Sequence, residues 1–119
     1  MKLWVDDIRN PESFNKYAYP DEWVWVKTIT EAIRVLANQK VEVVSLDHDI
    51  CHDLPGGGPL IQPLVCPENY TAVAWYIAAM DIDSRPAQVF VHTANPAGSG
   101  EIHNILRGLI GVEVIRRNL

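Results

Sequence analysis

Short apolar runs that suit strands alternate along the chain with stretches in which apolar residues recur every three to four positions, as in helices. Leu3 to Val5 is an apolar run ending on Asp6-Asp7, and Trp23 to Val26 is a second, rich in β-formers. The residues between them hold Pro11, Pro20 and the aromatics Phe14, Tyr17 and Tyr19 without a sustained helical period, so a helix expected there is reduced or missing. Thr28 followed by Glu31 fits a capping box, and Ile29, Ile33, Leu36 and Ala37 then mark one helix face as far as Asn38. Val41 to Leu46 reads as a third strand, interrupted only by Glu42 and Ser45, and it ends on Asp47-His48-Asp49.

After it comes a stretch with Pro55, Gly56, Gly57, Gly58, Pro59, Pro63 and Pro67, too rich in breakers for regular structure and read as a long loop. Tyr70 to Ile82 predicts a second helix, apolar nearly all round, and Val89 to Val91 a strand ending on His92-Thr93. Asn95-Pro96 supplies a cap and first turn for a third helix through Ile102, Ile105, Leu106 and Leu109, and Val112 to Ile115 is the last strand. Apolar strands that alternate with helices predict a parallel sheet covered on both faces, and right-handed crossovers favour the strand order 2-1-3-4-5. In such a sheet the ligand site lies outside the carboxyl ends of strands one and three, where the order reverses.

Composition narrows the setting. The 119 residues, 48% of them hydrophobic, fit one domain spanning 1–119. A net charge of -5 argues against sequence-independent binding of a long nucleic-acid duplex, although Arg107, Arg116 and Arg117 leave room for a local basic patch and a small phosphorylated ligand. No apolar stretch is long enough to span a membrane, and the acidic pair at Asp6-Asp7 interrupts any leader-like run, so a cytoplasmic location is expected. Cys51 and Cys66 are too few for a disulfide framework and are read as reduced thiols.

The candidate chemistry gathers at the predicted strand ends. Asp6, Asp7, Asp47 and Asp49 have no obvious basic partners nearby in sequence, and four carboxylates meeting at one sheet edge call for a divalent cation, with oxygen ligands favouring Mg²⁺, Mn²⁺ or Ca²⁺. The plainer alternative is that Asp47 or Asp49 caps a helix or faces solvent. His48 and His92 sit beside those ends and suit proton transfer to or from a phosphodiester, or else order the loops by hydrogen bonding. Asn95, Gly98 and Ser99 combine a strand end, small residues and a helix N-terminus that could receive a phosphate. His52 and His103 are weaker candidates, and a zinc site from His48, Cys51, His52 and Cys66 matches no common spacing. The glycines at 56–58 are flanked by prolines and read as a lid rather than a phosphate loop.

The acidic pair ending strand one, the aspartate within Ser45-Leu46-Asp47 and the Thr93-Ala94 ending strand four resemble, in order and spacing, the response-regulator receiver domain, a flavodoxin-like fold. That resemblance implies Mg²⁺ held by Asp6, Asp7 and Asp47, a phosphoryl group accepted by Asp47, and a phosphate contact from Thr93. The chain departs from it at the end of strand five, where Ile115-Arg116-Arg117-Asn118 stands in place of a lysine followed by proline. Arg116 would have to replace that lysine, which keeps charge but alters geometry.

Asp6-Asp7-Ile8-Arg9, Leu46-Asp47-His48-Asp49 and the run from Val91 through Gly98 look like the divergent receiver-like family called the cyclic-phosphate processing receiver domain. The resemblance implies action on a cyclic phosphate, such as an RNA 2′,3′-cyclic end, an ADP-ribose cyclic phosphate or a cyclic nucleotide. Mg²⁺ or Mn²⁺ would assist, Arg9 and Arg116 would join the phosphate contacts, and His48, His92, Asp47 and Thr93 would carry the catalysis. A silent module that binds a nucleotide or a partner protein, and a working phosphoacceptor, are the alternatives.

Overall fold

The computed structural model describes residues 1–11, 23–53 and 64–117, and the side chains of 51–53 and 64–67 lie outside that description. In chain order its elements are β1 (Lys2–Val5), β2 (Trp23–Val26), α1 (Ile29–Asn38), β3 (Val43–Leu46), β4 (Asp49–Asp53), β5 (Leu64–Asn69), α2 (Thr71–Ala79), β6 (Gln88–Val91), α3 (Pro96–Leu106) and β7 (Glu113–Arg116). The main sheet is parallel with order β2-β1-β3-β6-β7, which is 2-1-3-4-5 once the separate β4-β5 pair is set aside. It is a flavodoxin-like, receiver-type sheet.

Helix ends form where their caps predict. The Thr28 hydroxyl accepts from the Glu31 backbone N–H at 3.0 Å, starting α1, and the Asn95 side chain accepts from Gly98 N–H at 3.1 Å, with Pro96 in the first turn of α3. The second helix is shorter than the Tyr70 to Ile82 span expected. It ends at Ala79, after which Ile82–Ser84 forms a 3₁₀ turn and the Arg85 guanidinium takes up the Ala78 carbonyl at 3.0 Å.

The irregular loop expected after strand three is in part a hairpin. β4 and β5 pair antiparallel, Asp49 opposite Asn69 and Ile50 opposite Glu68, with a register irregularity between Ile50 and His52. All of these breakers but Pro67, which lies within β5, cluster in 54–63, outside the described residues, so breakers at the tip concealed the pairing flanks. The expected lid glycines 56–58 and the reduced first helix, in 12–22, also fall outside the description, as do the side chains of Cys51, His52 and Cys66.

All three described helices bury residues against one face of the sheet. Leu3, Val5, Val44, Leu46, Val89 and Val91 form a single core with Ala32 and Leu36 of α1, Val73, Ala74 and Ile77 of α2, and Ile102 and Leu106 of α3. The reason is topological: β2 to β3, β3 to β6 and β6 to β7 each cross the sheet in the same direction, so right-handed connections all pass over the same side. The other face carries a different file. Alternation places Trp4, Ser45 and Phe90 there, in register across β1, β3 and β6, and Trp4 and Ser45 are fully buried.

The register also aligns the strand ends. Val26, Val5, Leu46, Val91 and Arg116 form one line across the sheet. The ladder continues one residue further, with Asp6 N–H on Val26 O, Asp47 N–H on Val5 O and His92 N–H on Leu46 O at 3.0–3.2 Å. Asp6, Asp47 and His92 therefore leave adjacent strands at the same height. No described helix is long and apolar enough to cross a membrane.

Candidate active site at the carboxyl edge of the sheet

Carboxylate oxygens of Asp6, Asp7 and Asp47 lie within 4.8 Å of one another. Asp6 is fully buried and Asp47 is 2% exposed, so their charges are close together and poorly solvated. Burial, and then the negative charge of Asp6, push the Asp47 carboxyl up to about 7. Asp6 goes the other way: burial opposes its ionisation, but hydrogen bonds from His92 and from the Arg9 and Ile8 backbone outweigh that and hold its carboxyl below the usual range. An all-oxygen donor set with surplus negative charge fits a hard divalent cation such as Mg²⁺, Mn²⁺ or Ca²⁺.

The expectation that these carboxylates lack a basic neighbour needs correction. Asp6 Oδ1 accepts the backbone N–H of both Ile8 and Arg9 at 2.9 Å, and this tight turn folds the Arg9 side chain back over the strand end. Its guanidinium Nη1 then lies 3.3 Å from Asp47 Oδ2 and 3.5 Å from Asp6 Oδ2. Arg9 thus meets the carboxylates, and its partial exposure leaves it within reach of a ligand.

Asp49 does not join the cluster. Its Oδ1 lies 2.7 Å from His48 Nδ1 and takes a longer contact from the Asn95 amide at 3.4 Å. His48 Nε2 lies 3.1 Å from Glu101 Oε2, so a carboxylate faces each ring nitrogen. The imidazole lies against Gly98, where an added Cβ would come within 2.4 Å of His48 Cγ. Gly98 therefore seats the catalytic candidate, and its N–H is taken by Asn95. Glu101 escaped the sequence reading, although its place three residues after Gly98, on the same helix face, was a usable signal.

His92 is not at the rim. It is 0% exposed, its ring stacks on Trp4 with centroids 4.0 Å apart, and its two nitrogens lie 2.6 Å from Ser45 Oγ and 2.9 Å from Asp6 Oδ2. Burial pushes its pKa down against the opposing pull of Asp6. Thr93, the other residue of that strand end, has its hydroxyl near enough to Asp47 to favour the charged carboxylate, and that hydroxyl accepts the Asn95 N–H at 3.1 Å. Ser99 is buried and accepts from Arg116 Nε at 2.8 Å, while Arg116 Nη2 reaches the Pro96 carbonyl at 3.3 Å. Asn95, Gly98, Ser99 and Arg116 thus knit the first turn of α3 to β7 and contact the carboxylates only through Asn95 on Asp49.

An acidic trio at the switch point of a 2-1-3-4-5 parallel sheet, two of its members buried and the third half-buried, defines a receiver-type domain. The family model of the cyclic-phosphate processing receiver domain matches residues 1–108, nearly the whole chain, and the chain belongs to that family. The match ends before β7. No curated protein and no solved structure matches the chain.

Proposed function

We propose that this domain hydrolyses a cyclic phosphate to a phosphomonoester with the help of a divalent cation, probed most simply with Mg²⁺ or Mn²⁺, held by Asp6, Asp7 and Asp47. When bound, such a cation would neutralise a non-bridging phosphate oxygen and make the phosphorus more electrophilic. Arg9, already beside Asp6 and Asp47, would supply the second positive contact to the phosphate, and Thr93 a hydroxyl next to Asp47. His48 would move the proton: water adds to phosphorus, the P–O bond to one ribose oxygen breaks, that oxygen leaves with a proton from the imidazole, and the proton lost by the attacking water restores the imidazole.

The observation that carries this reading is the setting of His48. It is a slightly exposed histidine with carboxylates facing both ring nitrogens, next in sequence to the buried aspartate and seated on a glycine that admits no side chain. Transfer of a phosphoryl group onto Asp47 would need no such proton carrier. Membership of a cyclic-phosphate processing family supports the same substrate class, within which an RNA 2′,3′-cyclic end, an ADP-ribose cyclic phosphate and a cyclic nucleotide are the candidates.

A screen of those three ligand types by phosphorus NMR, with Mg²⁺, with Mn²⁺ and with chelator, tests the proposal. At least one cyclic resonance should convert to a monoester only when metal is present. If all three persist with metal, hydrolysis is excluded, and bound but unchanged ligand would identify a binding module instead.

A further inference from the structure

We propose that His92 is a positioning residue, which acts through Asp6: as a neutral imidazole protonated on Nε2, it fixes the Asp6 carboxylate in the orientation that a cation requires. The inference rests on the reading of Asp6 as a metal ligand and concerns how that ligand is held. Asp6, Ser45 and His92 are each 0% exposed, and Trp4 covers one face of the ring in near-parallel contact, 12° between planes. A ring so enclosed does not touch a ligand at the sheet edge. Its effect on chemistry must pass through a neighbour.

Hydrogen-bond roles then assign the proton. An ionised carboxylate only accepts, so the 2.9 Å contact to Asp6 Oδ2 makes Nε2 the donor. Complete burial disfavours a charged ring, so Nδ1 is left as the acceptor and the Ser45 hydroxyl 2.6 Å away is the donor that satisfies it. The chain Ser45 O–H to Nδ1, Nε2–H to Asp6 Oδ2 is complete in a site without water access. Asp6 Oδ1 is already fixed by the Ile8 and Arg9 backbone N–H groups, so His92 settles the remaining rotation of the carboxylate. Partners of this kind around metal ligands change metal affinity by roughly 10- to 100-fold when removed.

Replacement of the ring by two amides separates this role from the others. Glutamine extends far enough to present a donor to Asp6, whereas asparagine is too short and reaches only toward Ser45. His92→Gln should keep Mn²⁺ affinity within a few-fold of wild type, and His92→Asn should weaken it by roughly 10- to 100-fold. Calorimetric titration of folded protein reads both, and nitrogen NMR of the metal-free wild type should show His92 protonated on Nε2 alone. Wild-type affinity in His92→Asn, equal weakening in both variants, or a proton on Nδ1 would each overturn the proposal. Should both variants fail to fold, the nitrogen NMR of the wild type still decides the matter, since a ring that carries no proton on Nε2 cannot donate to Asp6. A wild type that binds no Mn²⁺ refutes the metal reading itself, a result distinct from variants that bind as well as wild type.

Discussion

Replacing Asp47 with asparagine should make the metal-free protein more stable at pH 8 and remove most of its response to divalent cations. Asp47 is 2% exposed, and burial followed by the charge of Asp6 moves its carboxyl from 3.8 to about 7. In the unfolded chain it ionises near the ordinary value, so between about pH 4 and 7 the native state keeps a proton that the unfolded state has released. Native stability therefore falls as pH rises through that window, and the loss is complete above it. At about 1.4 kcal/mol per pH unit, the cost at pH 8 is about 4 kcal/mol.

An amide carries no charge to bury. Its oxygen can still accept the His48 backbone N–H, now 2.8 Å from Asp47 Oδ1, and the pull of Arg9 on the charged form is already contained in the raised value. The net expectation is a gain of about 4 kcal/mol at pH 8 that vanishes near pH 4. Urea denaturation in chelator, with wild type and variant compared at each pH, reads this, and the comparison cancels the contribution of His92 common to both. Added Mn²⁺ should stabilise the wild type by mass action and leave the variant nearly unmoved. A variant destabilised equally at both pH values would refute the reasoning.

Arg9→Gln should tighten Mn²⁺ binding by up to about fivefold, because it removes a partly exposed cation that competes for the same carboxylates in an ion pair worth about 1 kcal/mol or less, and it should weaken phosphate binding; looser Mn²⁺ binding in calorimetry would count against that role. Gly98→Ala should cost about 1–3 kcal/mol of stability and displace His48, lowering turnover, because the new methyl has no room beside the ring; an unchanged denaturation midpoint and rate would contradict the packing. Incubation with a small phosphodonor and Mg²⁺ should leave the intact mass unchanged, since Arg116 is engaged with Ser99 and Pro96 rather than standing as the receiver lysine; stoichiometric addition at Asp47 would restore the phosphoacceptor reading.

Strand order and the convergence of Asp6, Asp7 and Asp47, though not the expected joining of Asp49, are legible in the chain, because short apolar runs ending on aspartate leave few topologies and the parallel register then aligns the ends. The β4-β5 hairpin is not legible, since pairing between Asp49–Asp53 and Leu64–Asn69 depends on partners across a stretch dominated by proline and glycine. Depth is a second blind spot. Alternation puts Ser45, Asp47, Asp6 and His92 on one side, but only packing against Trp4 reveals that His92 lies beneath Asp6 and not beside the ligand. Arg9 shows a third. The resemblance gives it a phosphate contact, but only the turn held by Asp6 Oδ1 shows that its guanidinium rests on Asp47.

The central claim is that His48 moves a proton during cyclic-phosphate hydrolysis at a metal site that does not depend on it. The most direct test is the turnover of the best cyclic phosphate by His48→Gln beside its Mn²⁺ affinity, both measured on folded protein. Turnover should fall by roughly 10²-fold or more while Mn²⁺ affinity stays near wild type. Wild-type turnover in His48→Gln would contradict the claim.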